Sequence, residues 1–215
     1  MESLLRRWCL PNPNELGLES HVFPETISNF GIVTESGNSV PVTKGIRPHS
    51  TIPQIRQIVG NSVFEDYLKI TIVRNPYDRV VSMFWWHLAQ NNLSRKQTLE
   101  SAPKTDIRRA LGKWLNSESN FLKWAHLEKF ANPALLGPNS LALRFEDLDN
   151  QCNLMLDQLG IPPSYRTLPS HKRGVRPQRP NTGEYFNWSN SSKVIARFHW
   201  EFRKLDYPLS IPPER

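Results

Sequence analysis

The chain has 215 residues, 38% hydrophobic and 22% charged, which describes a somewhat polar soluble globular protein and a single domain as the default. No apolar run approaches the roughly 18 residues that a membrane span needs, and the opening Met1–Trp8 carries no signal-peptide core, so a cytoplasmic location is expected. A formal charge of +7 favours anionic partners. The basic residues are nevertheless scattered among acids, apart from a cluster at Lys172, Arg173, Arg176 and Arg179, and no aromatic–basic stripe marks a nucleic-acid surface.

The two cysteines, Cys9 and Cys152, lie far apart without CxxC spacing, so two reduced thiols are the simpler reading. The six histidines form no H-x3-H or H-E-x-x-H array, and no metal is expected.

Residues 2–9 put Leu4, Leu5 and Trp8 on one helical face. From Leu10 to Pro48 the chain is rich in Pro, Asn, Gly and Ser and is expected to be mostly loop with short extended pieces. Within it Ser39–Thr43 is a weak strand, demoted by Pro41. A helix over about 53–59 follows His49, with Ser50 or Thr51 as its cap, Pro53 near its first position and Gly60 as its stop.

Lys69–Val73 is short and β-branched, the pattern of an interior strand. Asn75-Pro76 breaks it, Pro76 and Asp78 suit a helix start, and Val80, Val81, Phe84 and Trp85 recur at helical spacing. Trp85, Trp86 and His87 could stack on a ligand if exposed, although two adjacent tryptophans cannot both face the core. Asn91–Pro103 is polar and expected to be loop. Helices over about 104–116 and 119–131 follow, with Ile107, Leu111, Trp114 and Leu115 on the first.

Ser140–Leu148 predicts a second strand that ends in charged residues, and Asn153–Leu159 a helix closed by Gly160. Pro163–Pro180 is basic and irregular. Ser191–Leu205 is amphipathic, with Val194, Ile195, Phe198, Phe202 and Leu205 inward. No repeat or linker interrupts the chain, so residues 1–215 are expected to form one domain. Strands alternating with helices imply a three-layer α/β architecture.

Chemistry concentrates at one junction. Arg74 leaves the carboxyl end of a strand, and Ser82 faces the same crevice from the following helix. Ligands of open α/β sheets bind in such crevices, and a guanidinium with a hydroxyl beside a helix start suits a phosphate. The plain alternative is an ordinary strand-turn-helix with solvated Arg74 and Arg79.

The run Ile70-Thr-Ile-Val-Arg74-Asn-Pro-Tyr-Asp-Arg79-Val-Val-Ser82-Met-Phe-Trp-Trp86 resembles the 3′-phosphate-binding segment of sulfotransferases, particularly the carbohydrate-type branch. Leu143-Arg-Phe-Glu-Asp-Leu148 supports the resemblance, and the final helix ending in Leu205-Asp-Tyr207 supports it more weakly. It extends from about residue 45 to the carboxyl end and is strongest over 45–207. It implies a P-loop-nucleotide-hydrolase-like, mostly parallel sheet. The sulfuryl donor would be 3′-phosphoadenosine 5′-phosphosulfate (PAPS), whose 3′-phosphate Arg74 and Ser82 would grip. The acceptor would be a hydroxyl or amine of a carbohydrate-like molecule.

The resemblance also suggests roles for other residues. Some carbohydrate sulfotransferases place a catalytic His on a loop before the signature strand, which makes His49 the candidate general base. His49 could instead only help cap its helix. Glu146 and Asp147 are alternative bases, and capping is the alternative for them too. Lys172 and Arg173, with Arg176, resemble the basic loop that sulfotransferases fold over the nucleotide; a solvated cationic loop is the competing reading. Arg79 could pair with a helix-face acid or with the acceptor.

The sequence departs from the family pattern in one respect. No Pro-Lys-x-Gly-Thr-Ser loop, which would wrap the 5′-phosphosulfate and supply a catalytic Lys, occurs in it. The expectation is a sheet without its first strand, half of a donor site, and little or no transfer activity by this form. A non-catalytic homologue binding a nucleotide or a sulfated glycan is the alternative function.

Overall fold

The computed structural model describes residues 26–28, 31–33, 51–117, 137–160, 177 and 181–211. The helices expected at 2–9 and 119–131 and the weak strand at 39–43 lie outside these residues, as does nearly all of the basic stretch 163–180. The described elements are β1 (Thr26–Ser28), β2 (Gly31–Val33), α1 (Ile52–Val59), α2 (Asn61–Asp66), β3 (Lys69–Val73), α3 (Pro76–Asn91), α4 (Leu93–Glu100), α5 (Lys104–Asn116), β4 (Ser140–Arg144), α6 (Leu148–Gln158) and α7 (Trp188–Lys204). Short 3-10 turns cover Phe145–Asp147 and Thr182–Tyr185. The chain is mixed α/β, with β3 beside β4 in a small parallel sheet and β1–β2 as an antiparallel pair. It forms two compact units, residues 1–71 with 129–171 and residues 72–128 with 172–215.

In the first unit, α1 begins at Thr51, whose backbone N–H donates to the Gln54 side chain at 2.8 Å. It ends at Gly60, whose φ of 85° is the left-handed value that a side chain would resist. Gly60 also starts α2, a helix that the hydrophobic pattern does not reveal, because only Phe64 of its six residues is buried. Arg56 and Lys69 both lie over the Phe64 ring, and Lys69 Nζ donates to the carbonyls of Phe64 and Tyr67.

β4 enters through Asn139, whose φ of 60° is tolerated by an Asn side chain, and whose carbonyl accepts from Lys69 N–H at 2.8 Å. Leu143, Cys152, Met155 and Leu156 form the core here, with Ile70, Leu141 and Leu148 packed against it. α6 starts five residues before the expected Asn153, because Leu148 also turns inward. Burial raises the pKa of the free Cys152 thiol.

The second unit is an aromatic core between three helices. α3 buries Tyr77, Val80, Val81, Phe84, Trp85 and Leu88 on one face, while Trp86 and His87 are half-buried beside it. α5 contributes Ile107, Ala110, Leu111, Trp114 and Leu115. α7 contributes Val194, Phe198 and Phe202, with Ile195 only half-buried. Tyr77 meets Phe186 and Phe202 edge-to-face at centroid distances of 4.9 and 5.2 Å.

α7 begins three residues before the expected Ser191, where the Asn187 side chain accepts from Asn190 N–H. The segment 91–103 is not all loop. Asn92 accepts from Arg95 N–H to start α4, and Leu99 and Lys96 bury one side of it. Two buried positions in eight are too few to show as a periodicity.

An ion pair lies inside this core. The side chains of Arg79 and Glu201 are 14% and 2% exposed, Arg79 Nη2 bonds Glu201 Oε2, and the guanidinium lies 4.8 Å from the Phe198 ring. Burial lowers the Arg79 pKa and Glu201 opposes this only in part; an arginine stays cationic under such opposing pulls. Removing one partner strands a buried charge. Arg79→Ala is therefore expected to destabilise by about 3–5 kcal/mol in urea unfolding, and the double change Arg79→Met/Glu201→Leu by far less.

Candidate functional site

The junction of β3 and α3 is built by its own residues. Pro76 occupies the first helical turn, where its missing N–H costs nothing, and Asn75 Oδ1 accepts from Tyr77 N–H at 3.0 Å. The strand itself is less buried than expected: Val73 is enclosed, but Ile72 is 37% exposed. Arg74 emerges between the two elements, and its Nε and Nη2 both donate to Asp78 Oδ2. Asp78 lies in the first turn of α3, where a carboxylate also offsets the helix dipole.

Ser82 follows Asp78 by four residues, so both project from one side of α3, at the flank of the buried stripe next to Val81 and Trp85. Ser82 is half-buried, and its hydroxyl makes no hydrogen bond among the described residues. Helical serines commonly bond back to the carbonyl four residues earlier; this one remains available. The structure thus brings Arg74 and Ser82 to the same end and side of α3, with Asp78 between them.

Thr182 is the contributor that sequence reasoning missed. Its Oγ1 donates to Asp78 Oδ1 at 2.8 Å, so the carboxylate is held from two directions. The 3-10 turn bearing Thr182 is fixed to α5, where Lys104 pairs with Glu184 and Arg108 Nε donates to the Glu184 carbonyl. No local signal could have found a residue so far along the chain.

The other expected site residues are placed differently. Arg79 takes the structural alternative, paired with Glu201 inside the core. Glu146 and Asp147 are exposed in the first unit; Asp147 precedes α6 and accepts from the Asn150 side chain at 2.7 Å, without a capping bond to the helix backbone. His49, Lys172 and Arg173 lie outside the described residues. Among the described residues, no helix is long and apolar enough to cross a membrane.

The sequence model of the sulfotransferase family matches residues 42–197, well over half of the chain. The chain belongs to the sulfotransferase family. It is a transferase of the sulfuryl-transfer class, with the β3–α3 junction inside the matched region. Neither a curated protein nor a solved structure matches it individually.

Asp78 orients Arg74 through a charge-assisted pair and is itself held by Thr182. Asp78→Ala is expected to lower stability by about 1.5–3 kcal/mol, and Thr182→Val by about 1 kcal/mol. A double-mutant cycle in urea should show a coupling of at least about 0.5 kcal/mol between them.

Proposed function

We propose that the chain binds PAPS through its 3′-phosphate at the β3–α3 junction and transfers the sulfuryl group to a hydroxyl or amine of a carbohydrate-like acceptor. One observation carries this reading. Arg74 and Ser82 are presented from one side of the start of α3, the guanidinium fixed by Asp78 and the hydroxyl left unbonded among the described residues. A tetrahedral oxyanion fits this set, since it accepts from a planar guanidinium, from a hydroxyl and from the positive end of a helix. Family membership supports the donor class. On this reading β3 and β4 belong to a three-layer, P-loop-like sheet, each leading into a helix at its carboxyl end.

Sulfuryl transfer needs an acceptor made nucleophilic, a donor held in line and charge stabilised on the leaving phosphate. Arg74 and Ser82 hold the donor at its remote phosphate, which sets the nucleotide's register without touching the reacting sulfur. His49 is the proposed base that takes the acceptor proton, and Lys172 and Arg173 are proposed to close over the nucleotide. Binding energy at the 3′-phosphate then serves orientation.

Adenosine 3′,5′-bisphosphate tests the assignment by calorimetry. Arg74→Ala is expected to weaken its binding at least about tenfold, the loss of one or two charge-assisted hydrogen bonds, and Ser82→Ala by a smaller factor. Circular dichroism should show both variants folded. Unchanged affinity in both would remove the site from the junction. Binding without any transfer from labelled PAPS across a glycan panel would favour a non-catalytic nucleotide-binding role. In an active preparation, His49→Ala should lower kcat by about 10²–10⁴ with donor affinity preserved. A near-normal kcat would dismiss His49 as the base.

A further inference from the structure

A second cationic feature lies in the same unit and shares no residue with the junction. Thr105, Arg108, Arg109, Gly112, Lys113 and Asn116 form one complete stripe of α5, at the i, i+3, i+4, i+7 spacing of a single helix face. Opposite them stand Asn187, Asn190 and Lys193 at the start of α7. Together they line an open groove of about 500 Å³.

Its electrostatics are one-sided. Four of the lining residues are cations and none is an acid. Asp106 pairs with Arg109 from outside the lining, and Glu184 is occupied by Lys104. Lys113 and Lys193 have no ion-pair partner among the described residues. Arg109–Lys113 on α5 and Lys193–Arg197 on α7 are like charges four residues apart, an arrangement that destabilises an isolated helix. Lys104 also stands in the first turn of α5, where the helix dipole disfavours a cation, while Lys113 stands in the last turn, where it favours one. A merely solvated face would tend to alternate its charges; this one gathers them.

The floor is shaped to match. Asn190 is buried, donates from Nδ2 to the Arg108 carbonyl at 2.9 Å, and sets its Oδ1 where a Cβ on Gly112 would come within 2.7 Å. Gly112 sits mid-helix, where glycine is unfavourable, and here its missing side chain admits Asn190 and lets α5 and α7 approach. Arg108 is fixed at the edge by its bond to the Glu184 carbonyl.

We propose that the α5–α7 groove is a binding site for a sulfated oligosaccharide chain, separate from the nucleotide site at the β3–α3 junction. The cations would meet sulfate groups, while Thr105, Ser189, Asn116 and Asn187 suit sugar hydroxyls. Single-stranded nucleic acid is the competing polyanion: none of the lining residues is aromatic, but the exposed Trp188 lies between Asn187 and Ser189 in the chain.

The test measures binding of a fully sulfated heparin octasaccharide to the whole chain by surface plasmon resonance over a salt series. Lys113→Glu/Lys193→Glu is expected to weaken binding at least about tenfold and to flatten its salt dependence, since two anion contacts become repulsions. The thermal midpoint should change little, because relief of two like-charge pairs is offset by an acid in the last turn of α5. Arg95→Glu/Arg203→Glu makes the same change of net charge at exposed positions outside the groove and should alter affinity less than about twofold. Arg74→Ala should bind the octasaccharide normally, which separates this site from the nucleotide assignment. Equal losses in the two charge-reversed variants would mean diffuse attraction and overturn the proposal. So would loss of binding in Arg74→Ala, or tighter binding of single-stranded DNA of matched charge.

Discussion

The buried pair of Arg79 and Glu201 is the constraint on which the second unit depends. A guanidinium in an aromatic core must have its counter-ion, so α3 and α7 must meet in the register that brings Arg79 to Glu201. Ser82 follows Arg79 by three residues and Asp78 by four, so the register that seats the ion pair also fixes how the start of α3 presents its polar side chains. Replacing the pair with hydrophobic residues removes the charge requirement that singles out this register.

A second layer of constraint holds the site itself. Arg74 is a long side chain with considerable rotamer entropy, and Asp78 restricts it while Thr182 restricts Asp78. The turn carrying Thr182 is in turn bound to α5 through Glu184. An arginine proposed to bind a phosphate gains from such restraint, because less freedom is lost when the anion arrives.

The same turn also stands beside the cationic groove, since Arg108 anchors on the Glu184 carbonyl. The second unit therefore carries two cation-rich features with different designs. One is compact, with a guanidinium clamped by an acid at a helix start. The other is an open stripe of mutually repelling cations with amides and hydroxyls between them. The first suits one phosphate and the second suits spaced charges on a chain.

Local chemistry in the sequence determined β3, the Asn75-Pro76 break, the start of α3, the stop of α1 at Gly60 and the whole of α5. Each rests on residues within a few positions of one another: a β-branched run, a proline, a left-handed glycine, a hydrophobic stripe. The candidate pair Arg74 and Ser82 was read from the same local spacing. Tertiary structure alone decided the rest. α2 and α4 have too few buried residues to show a period: Phe64 packs against Arg56 and Lys69, and α4 turns only Leu99 and Lys96 inward. Arg79 could have faced a ligand or an acid, and only the packing of α7 against α3 brings Glu201 to it. Thr182 reaches Asp78, and Asn190 fits against Gly112, across long stretches of chain. Spacing along a sequence fixes which residues share a face, while the partner of that face is settled only when distant segments compete to bury it.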